Sequence, residues 1–300
     1  MFEIIQRVRE LPEDGQTILF DWQDAILGGN TYTLGWYLSH LGLDPTLVAA
    51  LPQERENLIT AAFVDADLKR TALQPVAGPV DSLIALTDGR THRSFYVKSK
   101  LPADLMDRLV AAVGPGIVVF AGSRHSDMQR AYMAILQNSA ADMTVFAPSY
   151  SICATDSDLA GKLAEASDLV AVNQREAMFI QEIFGVSDRK ALADQLGGPL
   201  LVTLAGDGAE LWRDGERIFI DSYTASADDV VGAGEAFLAG LLLVYIQGGA
   251  LVDACHVGAV LASFVVEARS VRVKVTLDQL TRKASDLGAQ RAIDALESLE

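Results

Sequence analysis

The stretch DSDLAGKLAEASDLVAVNQREAMFIQEIF, residues 156–184, decides how this chain is read. Asp156–Ala166 reads as a helix, Leu169–Val172 as a short apolar strand, and Gln174–Phe184 as a second helix. The same alternation runs outward on both sides. Upstream, Ala103–Val113 and Asp127–Ala140 have helical spacing, and Ile117–Ala121 and Met143–Phe146 are strand-like. Downstream, the next strand is Leu200–Leu204. Short apolar strands separated by helices are what a parallel sheet covered on both faces requires. The expected fold class is therefore α/β, with a central, mostly parallel sheet between helices.

Two stretches depart from that rhythm. Thr17–Asp21 reads as a strand with no helix after it. Ser82–Leu86 and Ser94–Lys98 flank Asp88-Gly89, a pair suited to a hairpin turn because glycine accepts positive φ cheaply. These strands fit either a small separate sheet or an edge hairpin. Near the C-terminus, Gly232–Gln247, Leu251–Val266 and Leu277–Leu287 read as helices. No repeat and no interdomain linker is evident, so one domain over residues 1–300 is expected.

Half of the 300 residues are hydrophobic and 21% are charged, which suits a large buried core. Forty acidic against 24 basic residues give a formal charge of −16, which argues against nucleic acid and anionic membranes as partners. A phosphate ligand would need a local anion site to overcome that field. Cys153 and Cys255 lack metal-binding spacing and read as a reduced, intracellular pair. The N-terminus MFEIIQRVRE is no signal peptide, and the most apolar run, Ala236–Ile246, is too short to span a bilayer. A cytoplasmic protein is expected.

The most informative segment is Asp229-Val230-Val231-Gly232-Ala233-Gly234-Glu235, directly before an apolar helix. A helix start leaves backbone N–H groups without internal partners and carries partial positive charge. Gly232 and Gly234 remove side chains that would screen those groups, which makes an anion hole. Glu235, in the first turn, would stand close enough to a bound phosphate to take a proton from an attacking hydroxyl. Glycines at a helix start equally serve close packing and a tight turn into the helix. Neither standard nucleotide fingerprint is present, so a nucleotide would bind by another arrangement.

Asp229–Glu235 closely resembles the Asp-Thr-x-Gly-Ala-Gly-Asp signature of the ribokinase and phosphofructokinase-B (PfkB) family. Four further pieces stand in that family's order. Leu11-Pro12-Glu13-Asp14-Gly15 resembles the Pro-x-x-Gly element that leads into a lid. Gly28-Gly29, before a helix ending in Leu41-Gly42, resembles the substrate-side Gly-Gly motif. Asn173-Gln174-Arg175-Glu176 matches Asn-x-x-Glu, and Val202-Thr203-Leu204 with Gly208-Ala209 resembles the nucleotide-side strand and loop.

The resemblance implies a ribokinase-like fold with a small β-lid within about residues 8–27 and 82–100. It implies ATP and Mg²⁺ as cofactors, a small-molecule acceptor, and chemistry made mostly of positioning and charge stabilisation. Gly232, Ala233 and Gly234 would cradle the transferring phosphate, and Glu235 would stand for the family's aspartate base. Thr203, Gly206, Gly208 and Asp229 would lie beside the nucleotide, with Leu251–Val266 flanking the adenine. Glu3, Gly28, Gly29, Asn30 and Thr33 fall on the substrate side. Asn173 and Glu176 would hold Mg²⁺, largely through waters; read alone, they are a capped helix start with one solvated carboxylate. A monovalent-cation requirement and a homodimer through the lid stay open.

Several positions depart from the family pattern. Glu235 replaces an aspartate, Val230 a threonine, and Ala205 a glycine, with Gly206 one step on. Thr33 stands where an asparagine is usual, although Asn30 is near, and Ala147-Pro148-Ser149 replaces Asp-Pro-Asn. The chain begins at Glu3's level, so the family's first strand is expected to be missing or very short. The leading reading is an ATP-dependent kinase for a sugar or nucleoside hydroxyl. Ser263-Phe264-Val265-Val266-Glu267 resembles nucleoside-kinase-like members and keeps adenosine as an acceptor beside a sugar. The alternative is a catalytically impaired relative that binds nucleotide or metabolite without turnover. His40, His92, His125 and His256 form no ligand pattern, and Trp22 and Trp36 fit core, lid or pocket equally.

Overall fold

The computed structural model describes residues 2–7, 26–69, 72–78, 82–87, 92–97, 100–122, 126–138, 141–149, 156–223, 231–268 and 272–299. In chain order the first half holds β1 (Phe2–Arg7), β2 (Ile26–Leu27), α1 (Asn30–His40), β3 (Ala49–Pro52), α2 (Glu56–Asp65), β4 (Leu73–Val76), β5 (Ser82–Thr87), β6 (His92–Val97), α3 (Leu105–Ala111), β7 (Gly116–Ala121), α4 (Ser126–Asn138) and β8 (Ala141–Ala147). The second half holds α5 (Ser157–Ala166), β9 (Leu169–Asn173), α6 (Gln174–Phe184), α7 (Arg189–Gln195), β10 (Leu200–Thr203), β11 (Ala209–Arg213), β12 (Glu216–Ile220), α8 (Ala233–Tyr245), α9 (Leu251–Ala268), α10 (Leu277–Asp286) and α11 (Gln290–Glu297).

β7 to β12 form a six-stranded sheet in the order β12-β11-β10-β9-β8-β7. β7 through β10 run parallel, and β11 and β12 close the far side antiparallel. Strand alternation sends successive side chains to opposite faces. Phe146, Val170 and Val202 pack with Ile135 of α4, Leu163 of α5, Ile180 of α6 and Leu192 of α7. Val145, Leu169 and Leu201 face the other way, toward α1, α8, α9, α10 and α11. With both faces covered, the parallel strands need apolar residues throughout, which is why they read as unbroken runs.

α8 and α9 are apolar on nearly every side because they are the inner helices of their layer. Their backbones approach closely at two glycines. A Cβ on Gly240 would stand 2.8 Å from the Gly258 Cα, and one on Gly258 would stand 2.5 Å from the Phe237 carbonyl oxygen. That contact fixes the axial position of α8, and with it the turn at Gly232–Glu235. The apolar run in α8 is too short to cross a bilayer, as expected; α9 is long and apolar enough by length and composition, and 61% of it is buried inside the protein. Cys255 on this helix is a free, buried thiol whose pKa burial pushes up to about 12, while Cys153 lies outside the described residues.

A second sheet has the order β2-β1-β5-β6. β5 and β6 pair antiparallel from Ser82↔Val97 to Thr87↔His92, as the hairpin reading expects. Asp88-Gly89, Thr17–Asp21, Trp22 and Leu11–Gly15 lie outside the described residues. From the level of Glu3 onward the chain does form a strand: β1 spans six residues, parallel to β5 and antiparallel to β2. It belongs to the small sheet, however, and β7 is the outer strand of the central sheet among the described residues. The small sheet therefore takes in residues before the expected span of about 8–27.

Glu210 on β11 ties the antiparallel side of the sheet together. Its carboxylate accepts from Arg189 of α7 at 2.7 Å, Arg217 of β12 at 3.2 Å and the Trp212 indole at 3.1 Å. Burial pushes its pKa up, but the bonds from Arg189 and Trp212 and the two guanidinium charges pull harder, so it sits below the usual value. A depressed carboxylate stabilises the fold above its unfolded pKa and loses that contribution as pH falls through the folded one. Glu210→Gln is expected to cost about 2 kcal/mol and lower the melting temperature by about 5 °C near neutral pH. The gap to the parent protein should close only as pH falls below the ordinary glutamate range, through the depressed pKa of Glu210. Melting curves across pH check this, and a pH-independent gap would mean that lost packing, not charge, is responsible.

Candidate active site

The parallel strands end on one side of the sheet at Ala121, Ala147, Asn173 and Thr203, and a cleft of about 480 Å³ opens there. Open α/β sheets place ligand sites outside the carboxyl ends of their strands. Ala121, Ala147, Asn173 and Thr203 all line the cleft, and α8 and α9 form its facing wall.

α8 begins at Gly232, whose φ of 88° is left-handed and whose position carries no side-chain cap. The first intrahelical bond is donated by the Ala236 N–H to the Gly232 carbonyl at 3.0 Å, so the N–H groups of Ala233, Gly234 and Glu235 precede the helical ladder. Gly234 is exposed, and a Cβ built on it meets nothing within 4 Å. The missing side chain therefore leaves open space next to the helix start. Ala233, Gly234 and Glu235 line the cleft; Asp229 lies outside the described residues.

Across the cleft, α6 starts in a reciprocal cap. The Asn173 Oδ1 accepts from the Glu176 N–H at 2.9 Å, and the Glu176 carboxylate accepts from the Asn173 N–H at 2.9 Å. This capping box satisfies two backbone donors and holds both side chains in place. Glu176 is 6% exposed, so it is not the solvated carboxylate that the residues alone suggest. Both residues line the cleft with hard oxygen donors. No group of three or more His, Cys, Asp or Glu residues fit to cage a metal occurs among the described residues. That donor set suits Mg²⁺, which keeps most of its waters and needs few protein ligands.

The turn after β10 depends on two residues with positive φ. At Gly208, φ is 94° and a Cβ would stand 2.2 Å from the Ile220 carbonyl oxygen, so only glycine lets this turn pack on the end of β12. Ala205 takes φ 54°, a conformation that costs an alanine about 1 kcal/mol or more. A glycine is the expected residue at Ala205, and the geometry gives the reason. Ala205 lines the cleft, whereas Gly206 is exposed in the same 3-10 turn and does not.

On the remaining side, Asn30 and Leu34 project into the cleft one turn apart on α1. Gly28 and Gly29 (φ 99°) precede the helix, and the Thr33 N–H donates to the Gly29 carbonyl at 3.0 Å. Thr33 is buried and does not line the cleft, nor do Gly28, Gly29 or Gly232. Glu3 stands in β1 opposite Ile26. Arg272 fastens this region: its guanidinium donates to the Leu27 carbonyl at 2.6 Å and lies 4.8 Å over the Tyr32 ring. The neighbouring Val273 N–H donates to the Tyr37 hydroxyl oxygen at 3.3 Å. Burial raises the Tyr37 pKa, the Val273 N–H bond works against that, and the charge of Glu235 adds to the rise. Trp36 is a core residue packed on Tyr37 and His40.

The cleft thus gathers Asn30, Asn173, Glu176, Thr203, Gly208, Ala233, Gly234 and Glu235 of the sequence-derived candidates. It also holds Arg175, Ala205 and Ser222, which were not singled out as site residues. Arg175 lies inside the Asn-x-x-Glu motif and was legible there. Ser222 reaches the site only through the Gly208 turn and carries no local signal.

Known proteins share this fold. The described structure is similar to a nucleoside kinase of Burkholderia thailandensis bound to inosine, with a TM-score of 0.80 and 16% identity over 96% of this chain and 95% of that one. A Methanocaldococcus jannaschii nucleoside kinase aligns with a TM-score of 0.75 and 16% identity over 95% of each chain. A 2-dehydro-3-deoxygluconokinase of Thermotoga maritima aligns with a TM-score of 0.75 and 13% identity, again over 95% of each chain. In sequence, 127 residues are 28% identical to the uncharacterized sugar kinase YegV of Escherichia coli K12, spanning 41% of this chain and 40% of that protein's length. Residues 7–277, nearly the whole chain, match the pfkB family of carbohydrate kinases, and the protein belongs to that family.

Proposed function

We propose that this protein transfers the γ-phosphoryl group of ATP to a hydroxyl of a sugar or nucleoside. One observation carries the reading: the uncapped start of α8, with a carboxylate in its first turn, opens onto the same cleft as the Asn173–Glu176 pair and the β10 turn. The acceptor lies on the Asn30 side and the nucleotide on the Thr203–Gly208 side. Ala259, Ala262 and Val266 of α9 leave room there for a flat base.

Glu235 takes the proton of the acceptor hydroxyl as its oxygen bonds to the γ-phosphorus. The bond from phosphorus to the bridging oxygen breaks, and ADP leaves with that electron pair. The N–H groups of Ala233 and Gly234 face the charge that spreads over the phosphoryl oxygens. Mg²⁺, when bound, neutralises phosphate charge, and Asn173 and Glu176 would hold it through waters. The capping box keeps those two side chains in place before any ligand arrives.

ADP release from ATP and Mg²⁺, measured against a panel of sugars and nucleosides, tests the reading. Acceptor-dependent ADP release is expected. No release with any acceptor, while ATP still raises the melting temperature, would replace it with a binding protein that does not turn over.

A further inference from the structure

We propose that Arg175 is the side chain that binds the phosphate chain of the nucleotide in this cleft. The inference rests on the kinase reading and goes beyond it, because the family motif specifies Asn173 and Glu176 and leaves the two positions between them open.

Among the described residues that line the cleft, the charged side chains are Glu176, Glu235 and Arg175. Two carboxylates in a protein of net charge −16 repel a polyphosphate. The start of α8 supplies backbone donors and a partial charge, but no full positive charge. Arg175 supplies one. It is exposed at the mouth of the cleft, within reach of an incoming ligand. Its backbone is held, because it lies in the first turn of α6 between the two partners of the capping box. A guanidinium on a fixed helix start presents a planar fork of donors that fits two phosphate oxygens at once. Glu176, one residue on, is buried and accepts from the Asn173 N–H.

The test compares ATP with adenosine, which shares the base and ribose but has no phosphate; the adenosine constant is read by competition with ATP, so that it reports the nucleotide side of the cleft and not the acceptor side. Dissociation constants are measured with Mg²⁺ present for the parent protein, Arg175→Ala and Arg175→Lys. Arg175→Ala is expected to weaken ATP binding about tenfold or more while adenosine binding stays the same. Arg175→Lys should recover part of the loss, since it keeps the charge without the fork. The fall of ATP affinity with added KCl should be shallower in Arg175→Ala than in the parent protein. Equal losses for ATP and adenosine, or an unchanged ATP constant and salt slope, would overturn the assignment and leave the kinase reading standing. A parent protein that binds no ATP would remove both together.

Discussion

Glu235→Ala is expected to lower acceptor-dependent turnover by about 10³-fold, with little change in ATP affinity or melting temperature. Glu235 stands in the first turn of α8 and is only partly buried, and the helix layer behind it is held by Gly240 and Gly258 rather than by this side chain. Its removal takes away the proposed proton acceptor but neither the backbone donors of Ala233 and Gly234 nor the cleft wall. Glu235→Asp is the sharper experiment. If the cleft is fitted to the longer carboxylate, shortening it displaces the base by about 1 Å and costs about 10²-fold. A rise in rate would mean instead that the site keeps the geometry of an aspartate and that this chain is an impaired relative. Steady-state rates for the three proteins, with melting curves as the control for folding, separate these outcomes.

Much of the fold was legible in residues 103–204, because a doubly covered parallel sheet demands apolar strands and leaves helices between them. The helix boundaries at Gln174 and Phe184 follow from Asn173 as a cap and from Gly185, whose φ of 66° ends α6. The β11–β12 hairpin was missed although its signal is present: Asp214 and Gly215 both take positive φ at the turn. β3 and β4 were missed for a different reason. Pro52 and Pro75 lie within them, and proline argues against a strand unless an edge or a short pair tolerates it. α7 is seven residues long, with an Asp188 cap as its main local mark. The placement of β1 beside β5 is a long-range pairing, and no local pattern distinguishes it from a strand of the central sheet.

The site was legible where backbone geometry imposes residue types. Gly208 has to be glycine because of the approach of Ile220, and the segment Gly232–Glu235 declares a helix start open to an anion. What sequence could not rank was depth. Thr33 and Asn30 stand three residues apart on α1, yet one is buried and the other faces the cleft. Gly206 and Ala205 are neighbours, and the turn decides which one meets the ligand space.

Gly234→Ala should move stability and activity in opposite directions. Gly234 lies within α8, outside the left-handed region, with open space where a Cβ would be. Alanine there fits the helix and removes chain entropy from the unfolded state, so stability should rise by as much as about 1 kcal/mol. The same methyl group would occupy the space next to the N–H groups proposed to face the phosphate. A phosphoryl group pushed away by about 1 Å loses both its donors and its alignment with the acceptor, a cost of about 10²-fold in kcat/KM. Gly234→Val should deepen the loss without unfolding the protein. The check is kcat/KM for both variants beside their melting temperatures. A variant that is more stable and less active places the transferring phosphate at the start of α8. Unchanged kcat/KM in both would move the phosphate elsewhere in the cleft, and with it the role assigned to Glu235.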